Sequence, residues 1–352
     1  MTVAEISHMT DDLLSEIFYH LCDPGPLSLR HLLFVSRRFY SVVMNSAHLW
    51  TTISFDPFFF YHFRLWHEQS HIFVEQCLLR SGSLELCLYI EIGYHPYLPH
   101  HFLEIFWRPE WRALQRYTSM IWINRNTSTT IQEIVALLPK SLPSLQYMSL
   151  SFFDDPIDGS QFPNCPVLER VEMLYYRQHC SPFWGTNFLH VTTLYFGYTT
   201  SWAYYDATVL SQFPVLHDLT LLTEHYSESP LSTDPHPPIN FNRLQILRAR
   251  GSLPWSLVCK LVAPALKELH IKANVHHVTS ICELQDLFEP HCQHIYALLP
   301  ISVSRWETDW ATNLSILVQK CTRIKSLHIY KWMEEECKEF MSRHNDVVLH
   351  VQ

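Results

Sequence analysis

Four stretches decide how the chain folds: LPSLQYMSL (residues 142–150), CPVLERVEML (165–174), FPVLHDLTL (213–221) and APALKELHI (263–271). Each reads Pro-x-Leu-x-x-apolar-x-apolar, and HVTTLYF (190–196), RLQILRA (243–249) and RIKSLHI (323–329) repeat the core of that pattern without the proline. The first apolar positions, 145, 168, 191, 216, 244, 266 and 324, lie 23, 23, 25, 28, 22 and 58 residues apart. The last interval leaves room for one more unit, assigned to ALLPISV (297–303). Side chains two apart on an extended chain point to the same face, so the last two apolar positions bury together on a short strand. The first enters the same core from the preceding turn. Units of this kind stack into parallel strands on one side, with helices such as IQEIVALLPKSL (131–142) or loops on the other.

A period of about 20 to 29 residues carrying L-x-x-L-x-L resembles the leucine-rich repeats. Regular repeats place Asn or Cys at a fixed point after the strand, and here only Asn274 does so, which predicts an irregular solenoid with long loops, STDPHPPINF (232–241) among them. LELCLYI (84–90) and SMIWIN (119–124) read as strands of less typical units. An ordinary α/β domain with a parallel sheet would produce the same alternation and is the alternative.

Composition agrees with a large folded chain. Of 352 residues, 47% are hydrophobic and only 17% charged, which suits a buried core. Only 7 glycines stand against 21 prolines, a balance that disfavours Gly-rich phosphate loops and favours short, punctuated elements. The net charge of -9 opposes general nucleic-acid binding. MTVAEISHMTDD begins with acidic residues where a secretory signal carries basic ones, and no apolar run long enough to span a bilayer follows. The expectation is a soluble chain of the cytoplasm or nucleus, with no membrane partner. Ten scattered cysteines without a CxxC pair then read as small buried hydrophobes.

The first fifty-five residues have a different pattern. In DDLLSEIFYHL (11–21), Leu13, Leu14, Ile17, Phe18 and Leu21 cover a wide arc, and Thr10 stands where it can cap the helix. SLRHLLFVS and RRFYSVVMNSA read as two further helices, followed by HLW and a strand in TTISF. Three short helices make a marginal core, so a partner is the physical expectation.

Three blocks in this order, the acidic-aliphatic first helix, VSRRF (35–39) and Leu49-Trp50, resemble an F-box over Met9 to Phe55. The family's Leu-Pro start stands here as Met9-Thr10. The F-box is the module by which substrate receptors of SCF-type cullin-RING ubiquitin ligases dock on the Skp adaptor. The resemblance implies an α/β chain in three parts: an F-box at 9–55, a linker helix at 56–80 and an irregular leucine-rich-repeat solenoid with a parallel strand face at 81–352. It also implies a receptor without catalysis, cofactor or metal. Adaptor contacts would come from Met9, Leu13, Leu14, Ile17, Phe18, Leu21, Val35 and Trp50. If Leu13, Ile17, Leu21, Val35 and Trp50 form an interface, they stand exposed in the isolated chain. If the helices merely cap the repeats, they are buried, and the chain is an adaptor-independent scaffold.

HEQSH (67–71) is a literal H-E-x-x-H, which on a helix would set His67 and His71 one turn apart for zinc, with Glu68 as general base. With 23 histidines in the chain such a match arises readily, and LWHEQSHIFVEQCLL reads better as a linker helix than as a zinc hydrolase. Cys282, His291, Cys292 and His294 have metal-binding atoms but fit no tetrahedral spacing. A binding surface is the stronger candidate. Residues alternating with the buried ones face outward: Glu172, Leu174 and Tyr176, then Tyr195, Thr220 and Leu222, then Arg248, Arg250, His270 and Lys272, then His328, Tyr330 and Trp332. The first half is aromatic and apolar, the second basic, which suits a target segment with an apolar anchor and an acidic or phosphorylated end. The substrate-binding set is therefore Tyr176, Tyr195, Leu222, Arg248, Arg250, His270, Lys272, Tyr330 and Trp332.

Overall fold

The computed structural model describes residues 8–21, 26–55, 66–92, 113–124, 138–152, 163–175, 188–198, 210, 212–223, 239–251, 261–273, 294–297, 326–329 and 348–351. Tyr176, Tyr330, Trp332, Asn274 and Cys282 lie outside them, as do residues 131–137 of the helix expected at 131–142. The chain is mixed α/β and divides into two compact units.

The first unit begins with three helices, α1 (Asp11–Leu21), α2 (Pro26–Val35) and α3 (Arg37–Asn45), and a 3-10 turn over Ala47–Trp50. Strand β1 (Thr52–Phe55), helix α4 (Trp66–Arg80), and strands β2 (Leu86–Ile92), β3 (Tyr117–Asn124) and β4 (Tyr147–Phe152) follow. These four strands are parallel and lie in chain order, with Ile53, Leu88, Met120 and Met148 in register as one fully buried row. The expected boundaries at 55 and 80 both fall inside this unit.

The second unit contains β5 (Arg170–Tyr175), β6 (Thr193–Tyr198), β7 (Asp218–Thr223), β8 (Ile239–Asn240), β9 (Ile246–Gly251), β10 (Leu261–Val262), β11 (Glu268–Ala273), β12 (His294–Ala297), β13 (Ser326–Ile329) and β14 (Val348–Val351). Eight of them form a parallel sheet in the order β5-β6-β7-β9-β11-β12-β13-β14, while β8 and β10 pair separately. Register brings Val171, Leu194, Leu219 and Leu247 into one buried row, and Met173, Phe196 and Leu221 into the next. Each such side chain contributes roughly 1.5–3 kcal/mol by leaving water.

The proline-leucine signature proves to be a turn. Leu145 N–H donates to Leu142 O, Leu168 to Cys165, Val191 to Phe188, Leu216 to Phe213, Leu244 to Phe241 and Leu266 to Ala263, at 3.0–3.3 Å. Pro143, Pro166, Pro214 and Pro264 therefore occupy the second position of a four-residue turn, where their fixed φ fits. Both ends of every turn are buried. The residue that opens the turn adds its own layer to the core, with Phe188 and Phe213 rings 5.7 Å apart. From each turn the chain ladders onto the previous unit: Thr192 N–H donates to Glu169 O, His217 to Thr192 O, Gln245 to His217 O and Lys267 to Gln245 O.

The strand His294–Ala297 ends on the first residue of ALLPISV, and the rest of that segment, 298–303, lies outside the described residues. One expectation is corrected. The segment 232–241 is not loop throughout, since Ile239–Asn240 pairs with Leu261–Val262 and Phe241 opens a turn. The strand Val348–Val351 was not anticipated, because it lacks the leucine pattern. Among the described residues no helix is long and apolar enough to cross a membrane.

Candidate binding surfaces

The N-terminal helices build an internal core from the residues the sequence marks most strongly. Thr10 caps α1, accepting from Leu13 N–H at 3.3 Å, and Ser36 caps α3, accepting from Phe39 N–H at 3.1 Å. Arg38 donates from Nε to Asp11 at 2.9 Å and also to Met9 O, which fastens the start of α3 to the start of α1. The Phe39 ring packs tilted against Phe18 with centroids 4.8 Å apart, and Ser15 Oγ lies 3.2 Å from His48 Nε2. Trp50 is the keystone of this packing: its indole N–H donates to Val43 O at 2.8 Å, the Arg80 guanidinium lies 5.3 Å from its ring centroid, and Phe73 packs at 5.9 Å. Arg80 also donates to Met44 O, so α4 is stapled to α3.

This packing sorts the expected adaptor-binding residues into two groups. Leu14, Phe18 and Trp50 are each 2% exposed and belong to the internal core, contrary to their expected place on an open surface. Their size and apolarity make them the cheapest side chains to bury in so small a unit. Met9 and Ile17 are half-buried. Leu13 at 49%, Leu21 at 70% and Val35 at 61% are exposed. Phe34, which the sequence reading passed over, is 88% exposed. An aromatic ring left almost wholly in water at a helix end, beside an exposed valine, is the kind of surface that marks an interaction site. Its signal was available: LLFV holds four consecutive apolar residues on a helix, and one face cannot bury them all.

The outer face of β5–β11 presents three rows. The first reads Arg170, Thr193, Asp218, Ile246 and Glu268, the second Glu172, Tyr195, Thr220, Arg248 and His270, and the third Leu174, Gly197, Leu222, Arg250 and Lys272. The register thus brings together the expected Tyr195, Leu222, Arg248, Arg250, His270 and Lys272. The second row continues through Tyr296, His328 and His350. Thr220 faces this side but is buried between its taller neighbours.

Charge on the face is largely matched within it. Arg170 pairs with Glu172, Arg248 with Asp218 on the adjacent strand, and His270 with Glu268 at 3.2 Å. Arg248, expected to meet an acidic or phosphorylated end of a target, is thus paired within the face itself. Burial lowers the pKa of His270, against the raising effect of its hydrogen bond to Glu268. At Gly197 an added Cβ would meet Leu174 Cδ2 at 2.6 Å, with Leu222 Cδ2 at 3.8 Å and Tyr195 Cε1 at 3.6 Å. The glycine lets Leu174 lie over the strand and gives a low apolar floor.

Among the described residues no three His, Cys, Asp or Glu side chains cluster as metal ligands. His67, Glu68 and His71 lie on α4, and only their backbone is described. Burial raises the thiol of Cys87, partly offset by its hydrogen bond with Ser119, and pushes that of Cys165 up to about 12. Neither favours thiolate formation at neutral pH.

No protein-family model matches the chain, and no curated protein does. A solved structure of a Bacteroides fragilis protein, a structural genomics target, is similar over 53% of this chain and 66% of its own length, at 14% identity and a TM-score of 0.29. The chain thus spans just under two thirds of that protein, at a likeness too low to carry an argument.

Proposed function

We propose that this chain is the substrate-recognition subunit of an SCF-type cullin-RING ubiquitin ligase. Its F-box, residues 9–55, docks on a Skp-type adaptor, and its leucine-rich repeats hold a target protein on the strand face. The observation that carries the reading is the exposed apolar set Leu13, Leu21, Phe34 and Val35 on a helical unit whose core is already complete with Leu14, Phe18 and Trp50. The Arg38–Asp11 contact draws the end of α2, three residues before Arg38, toward the start of α1. The repeating turn-then-strand unit supports the leucine-rich reading. The chain itself breaks no bond. It contributes proximity, raising the effective concentration of target lysines near the ligase's ubiquitin-loaded partner.

Co-expression with a Skp-type adaptor tests this directly. A complex should copurify, and Leu13→Asp with Phe34→Asp should abolish it while leaving the fold intact. A second reading, an adaptor-independent scaffold, is favoured by the seating of α4 on Trp50 and Met44, which makes the helices a cap. It predicts no complex with the adaptor.

A further inference from the structure

Basic residues change kind along the chain. No lysine occurs before Lys140, although nine arginines do, and seven of the eight lysines stand at position 260 or later. A random order of the same 25 basic residues would begin with nine arginines about once in eighty times. The first unit, Met1–Phe153 with Gln161–Leu168, thus holds a single lysine, Lys140, which is exposed. The fold explains part of this bias. Of the four early arginines whose side chains are described, three use the planar fork in a way a lysine ammonium cannot copy. Arg38 donates to Asp11 and Met9 O, Arg80 to Gln76 and Met44 O, and Arg116 to Leu84 O and Leu78 O, each from two nitrogens. Arg37 is exposed at the start of α3 and makes no such fork among the described residues, so a lysine would serve there as well. Packing therefore accounts for only some of the exclusion.

What lysine has and arginine lacks is a nucleophilic amine. A neutral Nζ attacks the carbonyl of a ubiquitin thioester, the C–N bond forms as the C–S bond breaks, and the leaving thiolate takes up the proton that the amine loses; a guanidinium stays protonated and takes no part. We infer that residues 1–139 are kept free of ubiquitin-acceptor lysines, so that the docked receptor is spared by its own ligase and self-modification is confined to Lys140 and the second unit. This rests on the reading of the chain as a ligase receptor. A lysine in the unit anchored to the adaptor is tethered to the ubiquitin-loaded partner for the whole life of the complex, whereas target lysines are present only while the target is bound. Tethering of this kind raises effective concentration by orders of magnitude, so even one accessible amine there would compete with the target throughout.

The test is a reconstituted self-ubiquitylation reaction: the full chain with a Skp-type adaptor, a cullin, its RING subunit and ubiquitin-loaded carrier enzyme, and no target. Lysines are placed at Ser83 and Gln115, two exposed positions outside the docking helices. Ser83→Lys and Gln115→Lys should each raise the rate of self-modification about tenfold or more over wild type, with the new isopeptide mapped by mass spectrometry to the substituted residue. Arg243→Lys, at an exposed position of the second unit, should change the rate by less than about twofold, because that unit already contains lysines. Circular dichroism should show the same fold in all three. Introduced first-unit lysines that stay unmodified in an assembled complex overturn the inference, and so does Arg243→Lys accelerating the reaction as much as they do. A wild-type chain that does not assemble with the adaptor overturns the ligase reading and this inference together, whereas assembly with unchanged rates overturns this inference alone.

Discussion

The helical region over residues 8–50 and the strand face of β5–β11 both carry apolar and basic side chains at the surface, but they divide the labour in opposite ways. In the helical region the cation serves the fold: Arg38 ties α3 to Asp11 and Met9. Among its exposed residues stand the apolar Leu13, Leu21, Phe34 and Val35. On the strand face the large apolar side chains are turned inward in rows, and what is left outside is ordered charge around the Leu174–Gly197–Leu222 floor. A mostly apolar patch suits a constitutive partner that buries it for long periods, whereas a charge-ordered face suits selection among targets.

The division can be broken by substitutions on either side of it. Trp50→Ala should have the largest effect, lowering stability by about 3–5 kcal/mol in urea unfolding, because the indole is packed among Val43, Phe73 and Arg80. Such a loss would show that the Leu49-Trp50 block acts through the core. Alkaline pH gives the next effect. The Cys165 thiol titrates at 9.0 when unperturbed and at about 12 in the fold, so between these values the unfolded chain binds fewer protons. Stability should then fall as pH rises through that window, and Cys165→Ala should flatten the fall seen in thermal unfolding. The smallest effect belongs to Arg38→Ala, about 1 kcal/mol or less, since both partners of its ion pair are partly in water. If Arg38→Ala instead removes adaptor binding with stability unchanged, the cation belongs to the docking surface and the contrast between the two regions weakens.

Which of these features the sequence announces depends on how local their causes are. The strands were legible because burial of 148 and 150, 171 and 173, or 219 and 221 imposes a period of two that no helix shares. The outer rows followed from the same alternation. Their pairing did not, because Arg248 meets Asp218 through register between strands thirty residues apart, which no single segment encodes. In the helices the apolar arc of α1 was evident, but its split into buried Leu14 and Phe18 and exposed Leu13 and Leu21 depends on where Phe39 and Trp50 sit. Phe34 went unnoticed because an apolar residue in an apolar run looks like core until the neighbouring helices are placed.

The central claim is that the helical region is a finished fold with an unfinished surface. It is tested most directly by size-exclusion chromatography of the purified chain with a Skp-type adaptor, wild type beside Leu13→Asp/Phe34→Asp, together with the unfolding midpoint of each chain alone. Wild type should form a stoichiometric complex and the variant none, with midpoints that agree within the effect of an ordinary surface change, about 0.5 kcal/mol. A wild-type chain that forms no complex, or a variant that binds as well as wild type, would contradict it.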